Sequence, residues 1–146
     1  MKLSIIAAAL ALAFTGGAYA QTSPSPSKKS GGDAAEKQIE RDYDTASDAC
    51  KPMKGNAQDV CKAEAKAKRD VAKAELKVQQ KDTPENRRDL AETKAKSEYN
   101  VAKERCEDQK GDAQKACEKE AKGKRDTAIK QAKASNAPAK SAPSSK

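Results

Sequence analysis

Four cysteines are the residues of this chain whose type and spacing carry recognisable chemistry. They form two pairs, each enclosing ten residues and one glycine: Cys50 with Cys61, and Cys106 with Cys117. In an oxidising compartment, an even number of cysteines in a short chain predicts disulfides rather than free thiols. A zinc site is disfavoured because the chain has no histidine and lacks the close Cys-x-x-Cys type of spacing.

No other residues suggest catalysis or cofactor binding. The sequence contains no Gly-rich phosphate loop, no Gly-x-Ser-x-Gly elbow and no histidine for acid–base work. Its carboxylates stand four residues before lysines, as in Glu64 and Lys68, which is the spacing of ordinary helix-stabilising pairs. We therefore expect no enzymatic activity, no catalytic residues, no cofactor and no metal.

An export signal accounts for the oxidising compartment. Lys2 precedes an apolar run over residues 5–14, and a small-x-small cleavage site ends at Ala20. We predict a signal peptide over residues 1–20, cleaved after Ala20, and a periplasmic mature protein. The apolar run is too short to span a bilayer, so the mature protein is not expected to be membrane-spanning.

Composition argues for helices without a conventional hydrophobic core. Beyond residue 20 the chain has no Phe or Trp, and strong helix formers such as alanine, lysine and glutamate dominate it. Burying one large aliphatic side chain contributes roughly 1.5–3 kcal/mol, whereas ordering one residue costs roughly 1–2 kcal/mol. We expect an all-α protein in which disulfides supply part of the missing stability.

The chain repeats itself at an offset of 56 residues. Between residues 43–77 and 99–133, 16 of 35 positions are identical. The rarer residues that align are Tyr43 with Tyr99, Cys50 with Cys106, Gly55 with Gly111, and Cys61 with Cys117. A bias towards alanine and lysine does not align such residues, so we infer an internal duplication.

Each copy predicts a helical hairpin with its cysteines beside the bend. In the first copy a stripe with helical spacing ends at Cys50, and Pro52 and Gly55 then interrupt the helix. Asn56, or Asp112 in the second copy, is expected to cap the next helix. The two cysteines of each copy then lie on opposite arms of the hairpin.

Two disulfide connectivities fit these hairpins. We favour Cys50–Cys61 with Cys106–Cys117, because closing a loop of about a dozen residues contributes roughly 3 kcal/mol. If Pro84 turns the chain into an up-down-up-down arrangement, Cys61–Cys106 with Cys50–Cys117 is an alternative. If Pro84 only kinks one long helix, the two hairpins instead lie on an extended rod.

The predicted fold is two disulfide-stapled antiparallel helical hairpins, four helices in all, with disordered N- and C-terminal tails. Its predicted segments are a disordered linker over residues 21–33, hairpin repeat one over 34–81, hairpin repeat two over 82–134 and a disordered basic tail over 135–146. The oligomeric state stays open, because alanine-rich helix faces can also pair between chains.

Positive charge is the remaining feature, with a formal net charge of +8. A cationic stripe with helical spacing is a candidate anion-binding site: Lys62, Lys66, Arg69, Lys73 and Lys77. Its partner would be lipopolysaccharide, anionic lipid or a nascent outer-membrane protein. The alternative is a solvated helix face that acidic residues of the segment 84–108 partly neutralise. Nucleic acid is not expected, because the stripe lacks interleaved aromatic residues.

The duplicated motif resembles a group of small exported proteobacterial proteins rich in alanine and lysine, some of which are labelled TolA-like cell-envelope proteins. The motif is Tyr43-x6-Cys50-x4-Gly55-Asn56-Ala57-x3-Cys61-x2-Glu64-Ala65-Lys66, repeated from Tyr99 to Lys122. The resemblance covers residues 43–133 and implies a helical envelope protein without an assigned activity. We expect a non-enzymatic structural, interaction or stress-related role. The alternatives are a periplasmic holdase-type chaperone and a cationic binder of lipopolysaccharide or anionic lipid.

Overall fold

The computed structural model describes residues 28–135, which form four helices joined by short turns. The helices are α1 (Lys28–Cys50), α2 (Asn56–Gln80), α3 (Pro84–Cys106) and α4 (Asp112–Ser135). Within this part of the chain there is no strand, and no helix combines the length and apolar composition that crossing a bilayer requires. The all-α prediction of two hairpins is confirmed. The predicted signal peptide, residues 21–27 of the linker and the tail after residue 135 lie outside the described residues.

Each helix packs only against its neighbours in the sequence. Across residues 28–135, contacts join α1 to α2, α2 to α3 and α3 to α4, whereas α1 touches neither α3 nor α4, and α2 does not touch α4. The helices therefore form one open layer with α1 and α4 at its edges. They do not close into a bundle around a shared core.

The chain turns between α2 and α3, as one of the two alternatives for Pro84 predicts. The Thr83 hydroxyl accepts a hydrogen bond from the Asn86 backbone N–H at 3.1 Å and thereby caps α3. Pro84 occupies the first helical position. The lack of an N–H costs no hydrogen bond there, because an N–H at this position has no partner within the helix. The Asn86 side chain also donates to the Lys81 carbonyl at 2.6 Å, beyond the end of α2. Pro84 therefore starts a new helix instead of kinking a long one.

Both hairpin tips bend at a glycine in the left-handed region. Gly55 has a φ of 60° and Gly111 a φ of 63°, and a Cβ at either position would meet no atom within 4 Å. α2 and α4 begin directly afterwards. The predicted capping role of Asn56 is wrong, because the N-cap of α2 is Gly55, which makes no side-chain hydrogen bond. Glycine is used here for its backbone conformation.

Each hairpin is closed by its own disulfide. The bonds are Cys50–Cys61 and Cys106–Cys117, both with Cα atoms 5.7 Å apart and a sequence separation of 11. The favoured connectivity is confirmed and the cross pairing is wrong. Cys50 and Cys106 are 0% and 1% exposed and are the best buried side chains of the described residues, whereas their partners Cys61 and Cys117 are half-buried.

The interior of the layer is thin. Its buried apolar residues are alanines and cysteines alone: Cys50, Ala65, Ala74, Ala95, Cys106, Ala121 and Ala132. The larger aliphatic residues, such as Val71 and Val101, are only half-buried. This agrees with the composition, which predicted helices without a conventional core, and it leaves the disulfides a large share of the stabilisation.

α1 extends six residues into the segment that composition predicted as linker. Its helix begins at Lys28, before the two glycines at 31 and 32. Gly32 lies so close to the end of α2 that a Cβ there would come 2.5 Å from Gln80 Nε2. Gly31 and Gly32 also line a shallow groove with Leu76. Gly32 therefore packs closely against α2, whereas a Cβ on Gly31 would meet no atom within 4 Å. The contact between α1 and α2 outweighs the low helix propensity of glycine.

Candidate functional site

A long groove crosses one face of the layer above α2, between α1 and α3. The stretch near the disulfides has a volume of about 520 Å³ and is lined by all three helices, with Tyr43 and Ser47 contributed by α1. A second stretch, also of about 520 Å³, runs towards the turn at Pro84 and is lined by α2 and α3. The two stretches share Lys66, Asp70, Ser97 and Asn100. We call this continuous surface the central groove.

The predicted cationic stripe forms much of the α2 wall of the central groove. Lys62, Lys66, Lys73 and Lys77 line the groove, but Arg69 does not. The sequence therefore identified four side chains that share one surface. Helical spacing did not show that two further helices border this surface.

Arg69 and Lys73 have partners on α1 or α2. The Arg69 guanidinium carbon lies 4.4 Å from the centre of the Tyr43 ring, and its Nη2 donates to Asp70 Oδ1 at 2.7 Å. This hydrogen bond to Asp70 raises the pKa of Arg69. Lys73 Nζ forms an ion pair with Glu40 of α1. Both cations thus hold the first hairpin together and are engaged before any ligand arrives.

Three lysines of the stripe remain unpaired. Lys62, Lys66 and Lys77 are exposed, and within residues 28–135 none of them forms an ion pair. Asp59 and Asp70 also lie on the α2 wall, but Asp70 is held by Arg69. Unpaired ammonium groups thus stand along the whole length of the central groove.

The opposite wall, which α3 contributes, is acidic. Asp89, Glu92 and Glu104 line it. Two lysines also lie there, and each already has a carboxylate partner: Lys96 with Glu92 at 3.2 Å, and Lys103 with Glu107 at 3.3 Å. The hydrogen bond that Lys103 donates to Glu107 raises the pKa of Lys103. The predicted neutralisation of the stripe by α3 does not take the form of ion pairs: among residues 28–135 the stripe's acidic partners are Asp70 of α2 and Glu40 of α1. The sequence predicted acidic residues of the segment 84–108 beside the stripe, but it did not predict that they form the second wall of a groove.

The interface of α2 and α3 has a second groove on the opposite face. Lys66 lines the central groove, whereas Lys68 lines the second one. Residues two apart on a helix are separated by about 200° around its axis, so the two grooves lie on opposite faces. The second groove has a volume of about 620 Å³, and its apolar lining consists of Ala67, Val71, Val101 and Ala102. We call it the alanine–valine groove.

Ion pairs between α2 and α3 border the alanine–valine groove. Arg105 Nη2 contacts Glu64 Oε1 at 2.6 Å, and Lys94 Nζ contacts Glu75 Oε1 at 2.9 Å. These pairs fix the antiparallel register of the two hairpins. They neutralise Lys94 and Arg105, two of the four charged residues that line this groove; Lys68 and Glu98 are the others.

The described helices bring together no group of three or more side chains of the types that bind metal ions. Comparison of the chain with protein-family models, with curated proteins and with solved structures gave no match. Function is therefore inferred from the geometry and charge of the surfaces themselves.

Proposed function

We propose that this chain is a non-enzymatic periplasmic protein of the cell envelope that acts by binding, and that the central groove holds an extended polypeptide segment. Two disulfides in a helical chain are compatible with an oxidising, exported compartment. The open layer presents long polar surfaces and little enclosed volume. Such surfaces suit contact with a chain-like partner better than conversion of a small substrate.

The charge pattern of the central groove carries this proposal. Lys62, Lys66 and Lys77 line the α2 wall, and Asp89 and Glu104 line the α3 wall. A ligand with one sign of charge is attracted by one wall and repelled by the other. A polypeptide carries both signs and satisfies both walls, which favours it over a pure polyanion.

The length and polarity of the groove also suit an extended chain. Lys62 and Lys77 lie about 22 Å apart along the helix axis at 1.5 Å per residue, which matches about seven residues of extended polypeptide. On the α3 wall, Thr93 and Asn100 provide a hydroxyl and an amide group, whereas Ser97 is buried beneath them. These groups can donate to and accept from a peptide backbone without reading its side chains.

The test is binding of a fluorescein-labelled, unstructured peptide of about 12 residues with alternating Glu and Lys, followed by anisotropy. K62Q/K66Q/K77Q should weaken binding roughly tenfold, since an exposed charge contact contributes about 0.2–1 kcal/mol. The control K37Q/K54Q/K110Q removes the same charge from exposed positions outside the groove and should bind like the wild type.

Two outcomes would overturn the peptide assignment. One is equal weakening by the groove variant and by the control, because the effect would then follow net charge alone. The other is tighter binding of an all-Glu peptide than of the mixed peptide, which would favour the alternative of a cationic binder in this groove.

The holdase alternative depends on the alanine–valine groove. Its apolar residues are small, and Val71 and Val101 are already half-buried between the helices. A chaperone that holds unfolded clients needs more exposed apolar area than the two alanines and two valines of this groove offer. The measurement is suppression of aggregation of a chemically denatured outer-membrane protein. Absence of suppression at equimolar protein removes this alternative, whereas suppression that V71S/V101S abolishes would support it over the peptide proposal.

A further inference from the structure

The outer helix α4 carries more unpaired positive charge than the helix in which the sequence predicted it. α4 has seven basic and four acidic residues. Each of the four carboxylates already accepts a hydrogen bond or an ion pair from α4 itself: Asp112 from Lys115, Glu118 from Gln114, Glu120 from Lys124 and Asp126 from Arg125. Four lysines are left without an ion pair among residues 28–135.

These four lysines share one face of α4. All are exposed: Lys119, Lys122, Lys130 and Lys133. At 100° per residue they occupy an arc of about 80°, centred roughly 140° away from Ala121. Ala121 is buried and lines a groove with residues of α3, so this arc is directed away from the layer. We call it the α4 lysine face.

One carboxylate lies within the α4 lysine face. Asp126 occupies the middle of the arc, and its Oδ1 accepts from Arg125 Nη2 at 2.7 Å and from Arg125 Nε at 2.9 Å. Arg125 in turn stacks on Tyr99, with its guanidinium carbon 4.3 Å from the ring centre. The only acidic group of the face is therefore already neutralised by an arginine that the second hairpin holds in place.

The internal repeat shows that the outer surface of α4, which includes part of the α4 lysine face, does not suit another helix of the same kind. At an offset of 56, Val71 and Ala74 of α2 correspond to Thr127 and Lys130 of α4. Val71 and Ala74 line the grooves at the interface with α3, and Ala74 is 8% exposed. A threonine and a lysine at these positions leave α4 without the apolar surface that the next repeat would need.

We propose that the α4 lysine face docks on the anionic phospholipid headgroups of a bilayer surface. Charge complementarity favours this partner, because the face spans about 21 Å at 1.5 Å per residue and presents two ammonium groups towards each end. A flat array of phosphates can engage all four at once, which a small anion cannot. The opposite edge, α1, has six acidic and four basic residues, so an anionic surface attracts the α4 edge and repels the α1 edge.

This surface is separate from the central groove, so each proposal can fail without the other. Docking leaves the α2 wall of the groove accessible for a polypeptide. The protein would then bind its partner at the bilayer surface, with the helices of the layer lying outside the hydrocarbon region. No apolar residue of α4 has to leave its contact with α3 for this mode of binding.

The experiment is co-sedimentation of the full mature chain with vesicles of phosphatidylglycerol and phosphatidylethanolamine, compared with pure phosphatidylcholine vesicles. K119Q/K122Q/K130Q/K133Q should weaken partitioning by roughly several hundredfold, since each lysine near an anionic surface contributes about 1 kcal/mol, or roughly fivefold. Raising the ionic strength from about 0.01 M to about 1 M shortens the Debye length from about 30 Å to about 3 Å and should abolish binding.

A matched control isolates the face from net charge. K37Q/K54Q/K81Q/K110Q removes four exposed lysines outside both proposed surfaces and should retain most of the vesicle binding. Circular dichroism melts should show that both variants stay folded. Equal loss in the two variants, binding to phosphatidylcholine, or binding to purified lipopolysaccharide without binding to the phospholipid vesicles would each overturn the proposal.

Discussion

The first hairpin, α1 with α2, and the second, α3 with α4, carry the same contacts at equivalent positions. Tyr43 and Tyr99 lie under Arg69 and Arg125 at 4.4 and 4.3 Å. Each arginine also donates twice to the aspartate that follows it, at 2.9 and 2.7 Å in both hairpins. A disulfide, a tyrosine–arginine stack and an arginine–aspartate bond therefore recur as a unit, which identifies them as the contacts that specify the hairpin.

The hairpins differ at their tips. Gln58 of the first donates to the carbonyls of Cys50 and Lys51, both at 3.3 Å, whereas Gln114 in the second donates to Glu118 instead. The first tip, Lys51–Gly55, is cationic and contains Met53, which is 39% exposed. The second tip, Glu107–Gly111, has two acidic residues and one lysine.

The arms differ as well. Glu40 and Lys73 pair across the first hairpin, and their counterparts at an offset of 56 are Lys96 and Ile129. Substitutions between the copies thus concentrate on surfaces and edges and spare the contacts that close each bend. The contacts that define the hairpin are therefore retained while the outward faces of the two copies diverge.

Loss of a disulfide should have the largest effect and should be the same in both hairpins. C50A/C61A and C106A/C117A should each lower the free energy of unfolding by about 3 kcal/mol, because the closed loops have equal length. Urea denaturation measures the cost, and hydrogen exchange shows where protection is lost. Loss of protection in both hairpins after removal of one disulfide would contradict independent closure of the two.

Alanine at the tip glycines should have the next largest effect. G55A and G111A should each cost about 1–3 kcal/mol, because a residue with a Cβ is strained at positive φ, although the space around both positions is open. Gly123 is the control: it lies inside α4 with nothing within 4 Å, so G123A should stabilise the protein by roughly 0.5–1 kcal/mol. Thermal melts distinguish these signs.

The tyrosine–arginine stack should contribute a smaller and equal coupling in each hairpin. Double-mutant cycles with Y43L and R69M, and with Y99L and R125M, should give coupling free energies of about 0.5–1 kcal/mol at these partly exposed sites. The measurement is urea unfolding of the two cycles. If only one of the two cycles gives a coupling free energy, the stack in the other hairpin does not stabilise the protein.

The ion pair found in the first hairpin alone should give the smallest effect. K73I introduces the residue type of the second hairpin and should cost about 0.2–1 kcal/mol, since Lys73 and Glu40 are 35% and 41% exposed. The cost should shrink in high salt. The salt dependence of the melting temperature checks this, and a cost that salt leaves unchanged would point to packing of the lysine stem instead.

The sequence was sufficient for the hairpins because their signals are local. Cysteines, glycines and tyrosines at matching positions identified the repeat. Because the loop between the two cysteines has the same length in both copies, a disulfide within each hairpin was the simplest pairing. The turn at Pro84 stayed open, because a proline at the start of a helix and a proline that kinks one look alike until the partners of Thr83 and Asn86 are known. The start of α1 depended on a contact between Gly32 and Gln80, which lie far apart in the chain.

The charged surfaces were harder to predict than the fold. Helical spacing placed Lys62, Lys66 and Lys77 on one face, but it did not reveal the acidic α3 wall beside them. It also did not indicate a cationic surface on α4, whose lysines remain exposed because no second helix covers them. An open layer and a closed bundle differ in which helices contact each other. Alanine-rich faces are too weakly hydrophobic for the sequence to indicate which of the two arrangements forms.

Contacts between sequence neighbours alone give the chain a low contact order, which is typical of rapidly folding helical proteins. The first hairpin is complete at Gln80 and needs no residue from the second for its disulfide or its stack. A chain that emerges N-terminus first can therefore fold and oxidise this half while the other half is still extended. The first pair can then close before Cys106 and Cys117, the alternative partners, have emerged.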